Sequence, residues 1–156
     1  MSFAFQSVIG QSTVKSRLVH SYKEGRVPHA LLLNGQEGTG GLGLALGLAR
    51  YLLCENKGEE DSCGQCKSCR AVDSLQHPDL HFSFPFFNQT GSEKTFSDDF
   101  MAAWRKMLLS TTYFNTEFWI SQITKDNKQL LFPVHEANNI AKKVFLKSFY
   151  NGPKVM

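Results

Sequence analysis

The sequence predicts an α/β domain in which helices pack on a parallel β-sheet of the P-loop nucleotide-binding type, with a cysteine-rich insertion. Two observations carry this prediction. A short apolar run at residues 30–34 is followed by a glycine-rich turn at 35–41 and an apolar helix, the order in which P-loop folds begin. All four cysteines then lie within residues 54–69, a polar segment with too few apolar side chains for a core of its own.

The first half of the chain predicts two helices and one strand. Residues 5–11 are extended, and Ser12 can cap a helix to about residue 23, with an apolar face of Val14, Leu18 and Tyr22. Residues 30–34 predict a buried strand, because short apolar runs bounded by turn residues are typical of parallel sheets. The glycine turn leads into a helix over about residues 42–53.

The middle of the chain is less regular. Residues 80–86 alternate like a strand, and Pro85 places that strand at a sheet edge. Residues 88–95 predict a polar loop. A helix follows from Ser97, with apolar side chains at helical spacing (Phe100, Ala103, Trp104, Met107 and Leu108).

Towards the end of the sequence, residues 114–123 fit either a short helix or irregular aromatic packing. A last helix over about residues 135–148 is predicted to direct four side chains inward: Ala137, Ile140, Ala141 and Val144. Residues 154–156 predict the beginning of another strand.

Composition fits one globular domain. The chain has 156 residues, 42% hydrophobic and 20% charged, with a net charge of +3, which is too small to indicate a nucleic-acid partner by itself. We find no apolar run of the roughly 18 residues that a membrane span needs, and no signal peptide at the N-terminus. We therefore expect a cytoplasmic protein with no membrane partner.

The cysteine spacing, C-x8-C-x2-C-x2-C, is typical of a structural zinc site. Cys54, Cys63, Cys66 and Cys69 can complete a tetrahedral shell of thiolates, and the short spacings let a tight turn present two sulfurs to one metal. Because four cysteine ligands leave no position for water, we expect one structural zinc per chain. Free thiols and two disulfides are the alternatives, and disulfides are disfavoured without a secretion signal.

The glycine turn matches a P-loop without its charged and hydroxyl groups. The pattern G-x-x-x-x-G-K-[ST] puts glycines at Gly35 and Gly40, but its lysine position holds Gly41 and its hydroxyl position holds Leu42. Lysine would neutralise the phosphates and the hydroxyl would hold Mg²⁺, so we expect no functional ATP site. The residues of this weak or lost nucleotide site are Gly35, Gly38, Thr39, Gly40, Gly41 and Leu42. The alternative is an ordinary strand-to-helix turn.

Nothing in the sequence indicates a catalytic residue. The five histidines are scattered, and none is paired with a serine or cysteine in a visible nucleophilic arrangement. Surface or loop positions explain them better than catalysis.

Four segments together resemble the bacterial replicative clamp loaders of the AAA+ class. Residues 8–11 (VIGQ) are similar to the box that opens this family, and residues 25–35 (GRVPHALLLNG) to the stretch leading into its P-loop. The four-cysteine spacing after the P-loop helix is the most specific of the four, followed by residues 77–79 (HPD), which close the zinc module. The resemblance runs along most of the chain.

The resemblance implies a part of the machine that opens the sliding clamp and places it on primed DNA, within the holoenzyme of the bacterial replicative DNA polymerase. The family's ATP-hydrolysing subunits keep the lysine and hydroxyl that Gly41 and Leu42 replace, so the implied role is that of the non-hydrolysing stator. The implied partners are the other clamp-loader subunits and, through them, the sliding clamp and primed DNA.

The resemblance also implies a division of the chain. Residues 1–156 would form the N-terminal part of an AAA+ ATPase-like domain, with the zinc module at residues 54–79. The family's Walker B acids, lid and collar do not occur in the sequence, so we expect a fragment. Because a fragment would leave the central strand at residues 31–33 without partners, we expect it to self-associate.

Two other functions stay open from the sequence. An ATP-hydrolysing clamp-loader subunit, or a related AAA+ ATPase, would need a lysine from elsewhere in place of Gly41. A small zinc-stapled nucleic-acid-binding module would need clustered Lys and Arg around the cysteines. Instead, the first cysteine loop holds four acidic residues: Glu55, Glu59, Glu60 and Asp61.

Overall fold

The computed structural model describes residues 1–88, 94–126 and 128–156. The chain divides into two compact units, Met1–His77 and Pro78–Met156. No helix among the described residues is long and apolar enough to span a membrane. Most of the predicted polar loop at residues 88–95 lies outside the described residues.

The first unit is built on three helices: α1 (Ser12–Lys23), α2 (Gly41–Leu53) and α3 (Lys67–Asp73). A 3-10 turn at Phe5–Ser7 precedes them and packs on α2. The core contains six buried side chains: Phe5, Val8, Val19, Leu44, Leu48 and Tyr51. The predicted apolar face of α1 packs against this core as partly buried side chains (Val14, Leu18 and Tyr22), which confirms that prediction.

Helix α2 is the centre of the first unit. Nine of its 13 residues are buried, because its composition is apolar on nearly every side. Both α1 and α3 pack against it. The predicted helix over residues 42–53 is therefore confirmed.

The predicted parallel sheet is wrong. The described residues contain no β-strand, and the apolar run at residues 30–34 has no regular secondary structure and no neighbouring strand paired to it. Leu32 in this run is 88% exposed and Leu31 is 46% exposed, so the run is not buried either. A strand is held by hydrogen bonds to its neighbours, and the described residues supply none for this run. Self-association, which we expected from this strand, stays a prediction.

Two isolated bridges mark the positions of the other predicted strands. Leu80 forms a parallel bridge with Val155, in which the His81 amide donates to the Val155 carbonyl at 2.9 Å. Phe86 forms an antiparallel bridge with Leu131. The predicted strands at residues 80–86 and 154–156 are thus reduced to single paired residues.

The second unit has three helices: α4 (Met101–Ser110), α5 (Thr116–Ile123) and α6 (Val134–Phe145). Its core is aromatic. Phe84 stacks on Trp104 with ring centroids 4.2 Å apart, and Trp119 meets Trp104 edge-on at 4.9 Å. The helix predicted from Ser97 begins as a 3-10 turn that continues into α4.

Residues 114–123, ambiguous in the sequence, contain helix α5. Asn115 caps its first turn, because its side-chain oxygen accepts from the Phe118 amide at 2.9 Å. Trp119 on this helix is buried and donates from its indole nitrogen to the Pro85 carbonyl at 2.8 Å. The cap and the buried indole together favour a helix over irregular packing.

The predicted inward face of α6 is mostly wrong. Ile140 is partly buried, but Ala137, Ala141 and Val144 are exposed, and Val144 keeps 53% of its surface. The helix packs instead by its polar side, where the Glu136 carboxylate is fully buried.

Serine donors explain why α6 buries a carboxylate. The Ser97 hydroxyl donates to Glu136 Oε1 at 2.5 Å and the Ser83 hydroxyl donates to the same oxygen at 2.6 Å. About two turns further on, Lys143 pairs with Asp98 at 2.6 Å. Buried charges need such partners, and these polar contacts fix which side of α6 faces the unit.

Candidate metal centre and phosphate loop

The four cysteines are brought together by the end of one helix and the start of another. Cys54 follows the last residue of α2, and Cys63 lies in the loop after it. Cys66 caps α3 and Cys69 lies in the first turn of that helix. The three segments converge at the carboxyl end of α2.

The sulfur positions match one tetrahedral metal site. The Sγ atoms of Cys54 and Cys63 are 3.6 Å apart, and Cys54–Cys66 and Cys63–Cys69 are each separated by 4.0 Å. All four sulfurs lie within 4.8 Å of one another. Four Zn–S bonds of 2.3 Å in a tetrahedron give sulfur separations of about 3.8 Å. The cluster can therefore hold a metal ion.

The cysteines are not paired in disulfides. All four lie in the described part of the chain and none is cross-linked. Their sulfur separations are far beyond a disulfide bond of about 2 Å. The disulfide alternative therefore has no support in the geometry.

Backbone amides of the loop point at the sulfurs. The Cys63 amide donates to Cys54 Sγ at 3.3 Å, the Cys66 amide to Cys63 Sγ at 3.4 Å, and the Cys69 amide to Cys66 Sγ at 3.4 Å. Such bonds favour the thiolate form that a metal binds. The hydrogen bonds from the Gln65 and Cys66 amides lower the pKa of Cys63 to about 6. Burial raises the pKa of Cys54 and of Cys69.

Glu55 holds the amino end of α3. Its Oε1 accepts from the Ser68 amide at 3.1 Å and from the Ser68 hydroxyl at 2.9 Å. These two hydrogen bonds lower the pKa of Glu55. An acidic side chain at a helix N-terminus also interacts well with the helix dipole, so Glu55 helps to place the cysteines of α3.

Sequence reasoning missed the side chains that surround the cysteines. Arg50 is buried and pairs with Asp73 at 2.8 Å, beside the cysteine loop. The sequence signal for this contact is a single charged residue within an otherwise apolar helix, because a buried cation requires a partner.

The phosphate-loop residues form a turn and the first residues of α2. Gly38 and Gly40 have φ angles of +78° and +85°, which side chains with a Cβ rarely adopt. The Thr39 hydroxyl donates to the Gln36 carbonyl at 2.7 Å and closes the turn, while Gly35 precedes it. Helix α2 then begins at Gly41, with Leu42 next.

The lysine position of the loop is open. A Cβ added to Gly41 would meet no atom within 4 Å, so the loop itself does not exclude a larger residue there. Along the axis of a 13-residue helix, this turn and the cysteine cluster are about 18 Å apart. The two predicted sites therefore lie at opposite ends of α2.

Comparison with known proteins identifies the family. Residues 10–130, more than three quarters of the chain, match the family described as "DNA polymerase III, delta subunit". The chain belongs to this family. The match includes both the phosphate loop and the four cysteines, and it confirms the resemblance found in the sequence.

Curated relatives carry the same polymerase in their names. DNA polymerase III subunit delta' of Escherichia coli K12 is 41% identical over 69 residues, covering 44% of this chain and 21% of the relative. Its counterpart in Bacillus subtilis 168 is 40% identical over 75 residues, which cover 48% of this chain and 22% of the relative. DNA polymerase III subunit tau/gamma of Haemophilus influenzae is 32% identical over 76 residues, which cover 49% of this chain and 11% of the relative. The matched part of the chain thus spans about a fifth of the length of the delta' relatives.

Proposed function

We propose that the chain acts in DNA replication as part of a non-hydrolysing clamp-loader subunit of the DNA polymerase III holoenzyme. It would serve as a stator, helping the other clamp-loader subunits to place the sliding clamp on primed DNA. Membership of the delta-subunit family and the delta' relatives support this role. The chain would contribute no catalytic residue and would correspond to the N-terminal part of the subunit's ATPase-like region.

The observation that carries the non-hydrolysing role is the start of α2. Gly41 and Leu42 occupy the positions where a working P-loop has its lysine and its hydroxyl. Without the lysine no fixed cation faces the phosphates, and without the hydroxyl the magnesium ion loses a ligand. The remaining backbone amides at a helix N-terminus attract anions only weakly by comparison.

We also propose that Cys54, Cys63, Cys66 and Cys69 hold one structural zinc. The sulfur separations and the amide bonds to the sulfurs fit a closed shell of four thiolates. Zinc bound there would supply folding energy to the segment between α2 and α3. A closed shell leaves no coordination position for substrate or water, which agrees with a structural role.

A second candidate is an ATP-hydrolysing subunit of the same machine. The tau/gamma relative, matched over a similar length, favours it. Gly41 and Leu42 oppose it, because neither can replace the groups that bind the phosphates and magnesium.

Calorimetric titration with MgATP separates the two candidates. We expect no magnesium-dependent binding by the wild-type chain and partial recovery of binding in Gly41→Lys/Leu42→Thr. Gly41→Gln/Leu42→Thr is the matched control, since glutamine has similar size and no charge. Tight, magnesium-dependent binding by the wild type would overturn the non-hydrolysing role.

A further inference from the structure

Arg50 is the only charged residue of α2, and its side chain is only 4% exposed. Its guanidinium makes two hydrogen bonds, from Nη1 to Ser62 Oγ at 2.7 Å and from Nη2 to Asp73 Oδ2 at 2.8 Å. A buried cation is costly without such partners, so these two hydrogen bonds are what make the burial of the Arg50 guanidinium tolerable.

The two partners of Arg50 connect it to every segment that carries a cysteine. Arg50 itself lies four residues before Cys54 on α2. Ser62 directly precedes Cys63, and Asp73 ends α3, the helix that Cys66 caps and whose first turn holds Cys69. One guanidinium thus links the three segments that together supply the four sulfurs.

The guanidinium also lies against the turn between Cys63 and Cys66. A Cβ built on Gly64 would be 3.3 Å from Arg50 Nη2, and Gly64 has a φ of +74°. Glycine therefore lets this turn approach the arginine closely. Asp73 is fixed on its other side, where Oδ1 accepts from the Phe3 amide at 2.9 Å.

We propose that Arg50 is a positioning residue for the metal centre. It does not contact the metal. It holds the three cysteine-bearing segments at the separation that the tetrahedral shell requires, and it opposes the local opening through which the ion would leave. This inference rests on the proposed zinc site.

The test measures transfer of zinc from the loaded chain to a chromophoric chelator. Arg50→Met should release zinc about tenfold faster than the wild type, the lower end of what loss of a group behind metal ligands costs. Ser62→Ala removes one hydrogen bond with little change in volume and should release zinc about threefold faster. Arg50→Lys can keep one of the two bonds, so its rate should fall between those of the wild type and Arg50→Met.

Two controls separate positioning from general stability. Val19→Ala removes methyl groups from the core of the same unit without removing a partner of Arg50, and should lower the melting temperature without accelerating release comparably. Ser74→Ala removes a hydroxyl that bonds the Ala71 carbonyl and should leave the release rate unchanged. In cobalt-loaded protein, Arg50→Met should alter the visible ligand-field bands, whereas Val19→Ala should not.

Each negative result has its own meaning. If the wild type binds zinc but the release rate and the cobalt spectrum are unchanged in both Arg50→Met and Ser62→Ala, the role of Arg50 is overturned and the metal site stands. The role of Arg50 would also be overturned if the release rates of all variants, Val19→Ala included, simply followed the decrease in their melting temperatures. A wild-type chain that binds neither zinc nor cobalt would overturn the metal site and this inference together.

Discussion

Cys66 has two roles in the first unit, which makes it the most informative single cysteine. It caps α3, because its sulfur accepts from the Cys69 amide, and the same sulfur lies 4.0 Å from that of Cys54. A change at this residue therefore tests the local helix and the metal shell at once.

Cys66→Ser should release the metal and loosen residues 54–77, while α2 keeps its structure through its own buried side chains. The serine hydroxyl can still cap a helix, so loss of order would reflect loss of the metal. Zinc content by elemental analysis and hydrogen exchange by mass spectrometry measure the two effects. Retention of about one zinc per chain, against a Ser74→Ala control, would contradict the assignment.

We expect the stability of the second unit to depend on pH through His81. Burial lowers the pKa of His81 below its usual value, and the charges of Lys154 and Lys143 lower it further. The unfolded chain then binds a proton more readily than the folded one. Stability from this group is thus present above the unfolded pKa of about 6.5 and is lost as the pH falls from there towards the folded pKa.

His81→Gln should reduce the loss of stability between about pH 7.5 and about pH 5.5. Urea unfolding followed by tryptophan fluorescence suits this test, because both tryptophans lie in the second unit. His20→Gln changes an exposed histidine of the first unit and serves as the control. If the pH dependence of unfolding is unchanged in His81→Gln, then folding does not disfavour the charged form of His81, and this prediction is contradicted.

At the scale of helices, the sequence predicts where a helix forms better than it predicts which face of that helix packs inward. Apolar residues at helical spacing predict α1 and α4, and an apolar run after the glycine turn predicts α2; each of these helices buries apolar side chains. In α6 the same spacing is present, but the helix packs by its polar side. Apolar periodicity alone cannot reveal that serines distant in sequence satisfy a buried carboxylate.

Glu136→Gln tests this account of α6. One carboxylate oxygen accepts from two serine hydroxyls and the other accepts from the Ser97 amide at 3.3 Å. A glutamine amide places donors against a donor, which should cost about 1–3 kcal/mol in the unfolding free energy of the second unit. Tryptophan-monitored urea unfolding measures it, with Glu117→Gln on α5 as the control. Equal stability of both variants would refute the anchoring role of Glu136.

The strand at residues 30–34 shows a different limit of the sequence. An apolar run before a glycine turn is typical of a central strand, yet it becomes a strand only if neighbouring backbone pairs with it. The described residues provide no such neighbour, and Leu32 remains exposed. Local sequence thus predicted the turn and helix α2, whereas the sheet required partners that local sequence does not specify.

For the whole molecule, the cysteine cluster was the most predictable feature. Its spacing predicted which four sulfurs would lie together, while the positions of Arg50 and Glu55 beside them became visible only in the folded chain. The core around α2 in the first unit is small, and no side chain from the segment between Cys54 and Cys69 belongs to it. A metal would compensate for that deficit, which is why the zinc proposal is central to the architecture.

Thiol accessibility combined with zinc content is the most direct test of this central proposal. We predict about one zinc per chain in protein prepared without chelators, with the four thiols resisting alkylation until a chelator is added. After chelation, all four cysteines should react. Protein that contains no zinc and whose thiols react at once, or that forms a disulfide between any two of these cysteines, would contradict the proposed metal centre.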